Sequence, residues 1–247
     1  MAGAIDWQLA TITSVRDETP NVRSFALKLP AWTGHRAGQH VDLRLTAEDG
    51  YSVQRSYSIG SEPGRDGEIE ITVERIPDGE VSPFLHDQAV PGDRIEVRGP
   101  IGGYFVWEPA LGGPLLLVAG GSGVVPLMAI ARYRAAVDGR TGAARLLFSS
   151  RSFDEIIYRE ELDRLNGRSD GFDVIHTLTR SQLEGWNGYD RRIDAEMLRD
   201  ALAPLGSEVR AYVCGPTALV ETVANGLVNL GLPADRVRTE RFGPTGT

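Results

Sequence analysis

Hydrophobic and polar residues alternate through the first hundred positions. Gln8–Val15, Val22–Leu29, His40–Leu45 and Glu68–Arg75 follow the two-residue period of strands with one buried face. Pro30, Gly34, Gly38, Asp49-Gly50, Pro63-Gly64, Asp66-Gly67, Asp78-Gly79 and Pro91-Gly92 punctuate these runs with turn residues. Many short strands between regular turns predict an antiparallel barrel or sandwich, with one helical turn at Ser82–Asp87. After Gly113 the pattern changes. Pro114–Ala119 is almost unbroken apolar sequence, as expected of a strand buried on both faces. Helical periods over Val125–Val137, Asp154–Leu165, Asp194–Leu205 and Ala218–Leu230 then alternate with strand-like Arg145–Ser149, Phe172–Thr177, Val209–Cys214 and Val237–Phe242. Such alternation predicts a parallel, doubly wound sheet. The fold class is a β barrel followed by an α/β domain, spanning 1–108 and 109–247. The boundary falls near Trp107–Gly113, where Pro109 and a Gly-Gly pair interrupt both patterns.

Composition narrows the picture. The chain has 247 residues, 41% of them hydrophobic, enough for a sizeable core without a staple. Cys214 is the sole cysteine, which excludes an internal disulfide and a four-cysteine iron–sulfur cluster. No metal is expected. The N-terminal segment lacks the pattern of a signal peptide, and Pro114–Ile130 is too broken by glycine and proline to span a membrane. A cytoplasmic monomer is the expectation. The net charge of −8 argues against nucleic-acid binding, which needs a basic face. Arg16, Arg23, Lys28, His35, Arg36 and Arg44 crowd near the N-terminus. They read either as a solvated surface or as a docking patch for an acidic partner.

Three stretches carry candidate chemistry. Gly120-Gly121-Ser122-Gly123 follows the first parallel strand and opens a helix, with Pro126 in its first turn. Glycines let backbone N–H groups approach a ligand, and the helix N-terminus suits a pyrophosphate; a plain tight turn is the rival reading. Ser150 and Arg151 stand just past the second parallel strand, and Arg180 just past the third. Ligands of doubly wound sheets bind beyond the carboxyl ends of the strands. Either arginine alone reads equally well as a surface side chain. Together, with no acidic residue at the second strand end, they favour NADPH over NADH. Arg55-Ser56-Tyr57-Ser58 places a cation, a ring and hydroxyls on one strand, and Arg55 shares a face with Tyr57.

Taken together, these residues resemble the ferredoxin–NADP reductase family of flavoproteins over nearly the whole chain. Arg55, Tyr57 and Ser58 match its Arg-x-Tyr-Ser pattern. Thr72, Val73 and Arg75 fall on its Val-x-Arg strand, and Gly79, Val81 and Ser82 on its Gly-x-x-Ser turn. Gly120–Pro126 match the nucleotide loop, Cys214, Gly215 and Pro216 the Cys-Gly-Pro element, and Glu240 and Phe242 the acidic-x-aromatic ending. The resemblance implies a six-stranded antiparallel Greek-key barrel carrying FAD rather than FMN, then a five-stranded parallel domain for the pyridine nucleotide. It implies that Arg55 neutralises a flavin phosphate and that Tyr57 packs on the flavin. Ser58 and Ser56 line that strand, with Ser58 hydrogen-bonded near flavin N5. Cys214 is implied beside the nicotinamide C4, and Phe242 over the second flavin face, or else in the core. Thr179-Arg180 varies the family's Ser-Arg pair. Gly243–Thr247 follow Phe242, whereas plant-type members end on the aromatic residue. With no cysteine-rich segment, the acceptor is expected to be a separate iron–sulfur or haem protein. Two rivals stay open: a flavin reductase acting without a protein acceptor, and a silent nucleotide- or flavin-binding subunit.

Overall fold

A computed structural model describes residues 5–137 and 142–242; Gly243–Thr247 lie outside it. Six antiparallel strands occupy the first part: β1 (Gln8–Thr19), β2 (Val22–Lys28), β3 (His40–Thr46), β4 (Ser52–Ser58), β5 (Glu68–Glu74) and β6 (Arg94–Ile101). Helix α1 (Val81–Asp87) lies between β5 and β6. The strands run β4-β3-β6-β1-β2-β5, and a bridge from Ile59, just past β4, to Ile71 in β5 joins the two ends. The sheet is therefore closed. Within the ring, β6 returns beside β3, which is the Greek-key arrangement of β3 to β6. The alternation read from the sequence explains the closure. Val41, Leu43, Ile69, Ile71, Val73, Ile95 and Val97 point inward and are buried, with Phe25 and Leu27 from β2.

The second part is a five-stranded parallel sheet: β7 (Leu115–Gly120), β8 (Ala144–Ser150), β9 (Phe172–Leu178), β10 (Arg210–Pro216) and β11 (Val237–Phe242). Its order is β11-β10-β7-β8-β9. Every residue of β7 is buried, as its apolar run predicts for the central strand. Helices α2 (Val124–Ala136), α3 (Arg159–Asn166), α4 (Ala195–Leu202) and α5 (Thr217–Asn229) cover the faces. No helix among the described residues is long and apolar enough to cross a membrane.

One helix departs from expectation. The periodicity of Asp154–Leu165 predicts a helix, yet α3 begins only at Arg159, after a short 3-10 turn at Phe153–Glu155. Ile156, Ile157 and Tyr158 are drawn into the core, and Tyr158 sits in the left-handed region at φ 59°. Burial of three large side chains outweighs local helix propensity there.

The two sheets share a core. Val22, Ala37, Phe105 and Trp107 from the barrel side pack with Val124, Leu127, Met128 and Tyr212 of the parallel side. Phe105 meets Tyr212 edge-on at 5.4 Å, and Trp107 meets Tyr133 likewise at 5.8 Å. Helix α2 lies between the sheets and is buried almost all round, Arg132 included. That guanidinium donates to Glu70 of β5 (2.6 Å), to the Gly60 carbonyl (2.8 Å) and in a fork to Glu161 of α3 (2.6 and 2.8 Å). It also lies over the Tyr158 ring, whose hydroxyl meets Thr72 of β5.

The basic residues near the N-terminus are mostly paired. Arg16 binds Glu18 and Glu70, Arg23 binds Asp17, Arg44 binds Glu96, and Arg36 approaches Glu108 at 3.7 Å. Their charge is largely spent within the molecule, which favours the solvated-surface reading over a docking patch.

Candidate flavin and nucleotide site

The order of the parallel sheet reverses between β7 and β10, the place where doubly wound folds open a crevice beyond their strand ends. Gly121–Gly123 form a 3-10 turn there, leading into α2. A Cβ at Gly123 would stand 2.7 Å from Gly215 Cα and closer still to the Cys214 carbonyl. Only glycine lets the loop lie against the Cys214-Gly215-Pro216 backbone. Gly121 is different: its φ of 54° suits glycine, and a Cβ there would meet nothing within 4 Å. One side of the loop is thus closed by protein and the other open to a ligand. Ser122 donates its hydroxyl to Glu74 of β5 at 2.8 Å, and Pro126 is buried in the first turn of α2.

Beyond β8 and β9 the two loops are stitched together. Thr179 N–H donates to the Ser150 carbonyl at 3.0 Å, and Arg180 N–H to the Arg151 carbonyl at 2.9 Å. Both arginine side chains are exposed. Arg151 approaches Glu155 only at 3.7 Å, and Arg180 has no ion pair among the described residues. The Ser150 hydroxyl is buried without a partner.

On the barrel, Arg55 and Tyr57 do share one face of β4, as the cross-strand partners of Leu43 and Val41. Arg55 donates to the neighbouring Gln54 carbonyl at 2.7 Å and has no carboxylate partner among the described residues. Tyr57 packs half-buried against the barrel core, and that burial pushes its phenol pKa up. Ser56 donates to Asp42, and Ser58 is buried opposite His40 of β3. The turn before α1 is held by Ser82, whose oxygen accepts from Ile76 N–H at 3.0 Å, while Val81 fills the core. A groove of about 320 Å³ continues along the same face between Tyr51, Val53, Glu80 and Phe84. Three residues of the Val-x-Arg strand are committed elsewhere. Val73 is wholly in the barrel core, Thr72 is buried between Ser24 and Tyr158, and Arg75 pairs with Asp87 at 2.9 Å. Any contact that Val73 or Thr72 makes to a cofactor comes from backbone, whereas the Arg75–Asp87 pair lies at the surface.

The last strand completes the arrangement. Glu240 pairs in register with Cys214, and Phe242 with Pro216. Glu240 Oε2 is buried without a partner, and burial raises the carboxyl pKa to about 7. Burial also pushes the Cys214 thiol well up, with the Glu240 charge adding to it. A cavity of about 130 Å³ lies between Glu240 and Thr239 on one side and His40, Gly102, Gly103 and Tyr104 on the other. It joins β11 to the barrel at His40, the cross-strand partner of Ser58. Burial lowers the His40 pKa, partly offset by Asp42. Phe242 is half-buried against the shared core.

His40, Glu74 and Tyr158 were not legible as site or interface residues, because each acts through a partner more than fifteen positions away. An unpaired guanidinium beside a serine-held turn, a loop that admits no Cβ on its inner side, and unpartnered serine and glutamate oxygens fit a phosphate-bearing flavin and a dinucleotide.

Comparison with known proteins agrees. Residues 9–106 match the oxidoreductase FAD-binding domain and residues 117–225 the oxidoreductase NAD-binding domain. The chain is 34% identical over 241 residues to the glycine betaine monooxygenase reductase subunit of Pseudomonas aeruginosa, covering 96% of this chain but 64% of that protein. It is 30% identical to NADH-cytochrome b5 reductase 1 of Aspergillus terreus, covering 92% of this chain and 78% of that one. Among solved structures, a cytochrome P450 reductase from Amycolatopsis superposes with a TM-score of 0.84 at 26% identity, over 100% of this chain and 72% of that one. A ferredoxin NADP+ reductase from Neisseria gonorrhoeae shares the fold with a TM-score of 0.81 at 22% identity, over 96% and 99% of the two chains. Fold and family models together define the two-domain architecture of flavoprotein oxidoreductases. The chain belongs to the ferredoxin reductase superfamily, with its FAD-binding and NAD-binding domains in the order that the sequence pattern implies.

Proposed function

We propose that this chain is an FAD-dependent reductase that takes electrons from NADPH and delivers them to a separate iron–sulfur or haem protein. The observation that carries the proposal is the cavity joining Glu240 on β11 to His40, the cross-strand partner of Ser58. Of the residues expected at the site, Glu240 lines it, and Ser58 lies one cross-strand pairing away at His40, which supports a reaction centre between the two domains. When bound, FAD supplies the redox chemistry, accepting two electrons as hydride and giving them up singly.

The chain's own residues do the rest. Arg55 holds the flavin phosphate, and the groove by Tyr51 and Phe84 takes the adenosine end. Tyr57 packs on the ring system, Ser58 hydrogen-bonds its reacting edge, and Phe242 covers the opposite side. The glycine loop receives the nucleotide pyrophosphate, and Cys214 lines the nicotinamide position. His40 and Glu240 hold protons along the cavity, with Ser58 paired across the strand from His40, and a carboxyl with a pKa of about 7 can both give and take one near neutrality. The names of the relatives, a monooxygenase reductase subunit and a P450 reductase, support a protein acceptor.

Arg151 and Arg180 support NADPH. The opposite choice has one specific support, the NADH named in the cytochrome b5 reductase relatives. Anaerobic titration with NADPH and NADH tests both readings. Bleaching of bound flavin at substoichiometric NADPH supports the proposal, and a protein that takes up no flavin refutes it. Turnover with free flavin or oxygen but with no ferredoxin or haem protein would favour the flavin-reductase reading instead.

A further inference from the structure

The outer face of β5 meets the parallel domain through three side chains at the strand period. Glu70 pairs with Arg132, Thr72 with Tyr158, and Glu74 with Ser122. The first two contacts are deeply buried, with Arg132, Thr72 and Tyr158 each less than a tenth exposed. The third is of another kind. Glu74 is half-buried and forms no ion pair among the described residues. Its carboxylate accepts from Ser122 within the glycine loop, 2.8 Å away, at the entrance to the 13-residue helix α2. A helix N-terminus with exposed loop amides attracts anions. Here a carboxylate from the other domain already stands at its edge, next to the open side at Gly121.

We propose that Glu74 sets the affinity and release of the dinucleotide by keeping a negative charge at the mouth of the pyrophosphate loop. The inference rests on the reading of that loop as the nucleotide site and assigns a role to a residue of the flavin barrel. A pyrophosphate entering the loop takes over the Ser122 hydroxyl and faces the Glu74 charge at close range. Like charges at such separation in a half-buried setting repel strongly, and salt screens them. The device weakens binding of both NADPH and its oxidised product, so the spent nucleotide leaves readily. Specificity for the 2′-phosphate is untouched, because Arg151 and Arg180 stand at the ends of β8 and β9.

Glu74→Gln tests this, since it keeps the shape and the acceptor for Ser122 while removing the charge. The probes are NADP+, ADP-ribose and adenosine 2′-monophosphate, titrated calorimetrically into the flavin-loaded protein. Glu74→Gln should bind NADP+ and ADP-ribose about five- to tenfold more tightly at low salt, as expected for removal of one close like charge. The gain should shrink in high salt. Adenosine 2′-monophosphate, which has no pyrophosphate, should bind as to the parent protein. Ser122→Ala, which removes the tether but keeps the charge, should give no gain. Unchanged or weaker NADP+ binding by Glu74→Gln overturns the proposal, as does an equal gain for adenosine 2′-monophosphate or for Ser122→Ala. If the parent protein binds none of the three probes, the nucleotide reading of the loop fails, and this inference fails with it.

Discussion

The backbone N–H of Arg180 donates to the carbonyl oxygen of Arg151 at 2.9 Å, fixing two exposed guanidinium-bearing residues side by side. The sequence separates them by twenty-nine positions, and parallel pairing of β8 with β9 closes that gap. Replacing both by alanine should weaken NADPH much more than NADH. A charge-assisted contact is worth about 1.5–3 kcal/mol, reduced by salt at exposed sites, so the preference for NADPH should fall at least about tenfold. Steady-state kcat/KM for the two nucleotides is the measurement. Equal losses for both would remove these arginines from the 2′-phosphate site.

Glu240 gives a stability signature. Its carboxyl pKa is about 7 in the folded chain against 4.5 for an unperturbed glutamate, because it is buried without a partner. The folded state therefore holds the proton more tightly than the unfolded one. Stability from this group is complete below pH 4.5 and is lost as pH rises towards 7, by an amount on the order of 3 kcal/mol. Glu240→Gln should melt several degrees above the parent at pH 8, and the difference should close by pH 4. A constant difference across that range would show that the carboxyl does not titrate as described.

Three histidines act in the opposite sense. Burial lowers the pKa of His35, His40 and His176. Their contribution is present above the ordinary histidine pKa of about 6.5 and is lost as pH falls through the lowered values. His40→Gln should therefore flatten the acid limb of the melting-temperature profile. In the reductase assay it should also alter the pH dependence of acceptor reduction more than that of flavin reduction by NADPH. A profile identical to the parent in both would place His40 outside proton handling.

Arg132 joins the two halves through buried ion pairs. Removing Arg132 strands Glu161 and leaves Glu70 with Arg16 alone, a loss of about 3–5 kcal/mol for a buried pair. Arg132→Ala should lower the urea midpoint accordingly, and a loss below 1 kcal/mol would contradict the cluster's role.

Gly123 is held by contact. A Cβ there strikes the Cys214 carbonyl, so Gly123→Ala must push the glycine loop off β10. Overpacking of this kind costs about 1–3 kcal/mol, and nucleotide affinity should fall in parallel. Preserved affinity alongside lowered stability would separate the loop's packing from binding.

The barrel and the parallel sheet were legible because each has its own period. Alternation marks strands such as β5, with Ile69, Ile71 and Val73 inward, and the apolar run of β7 marks a centre buried on both sides. The glycine loop was legible because it sits between a strand and a helix. The start of α3 was not, since Tyr158 leaves the helical pattern to reach Thr72, 86 positions away. Nor could alternation say what the outer face of β5 meets. It marks Glu70, Thr72 and Glu74 as outward, yet all three turn towards a second domain. His40 reads as an ordinary strand residue until register sets it against Ser58 and folding sets it across a cavity from Glu240.

The cluster uniting Val22, Ala37, Phe105 and Trp107 with helix α2 has a consequence for recombination. A hybrid spliced between β6 and β7 would inherit half of a hydrophobic interface and one side of each β5 contact. The unit that can be exchanged intact is therefore not a contiguous stretch of chain. It is the barrel together with the partners of β5's outer face, so grafting this barrel onto a foreign nucleotide domain means transplanting Arg132, Tyr158 and Ser122 along with it.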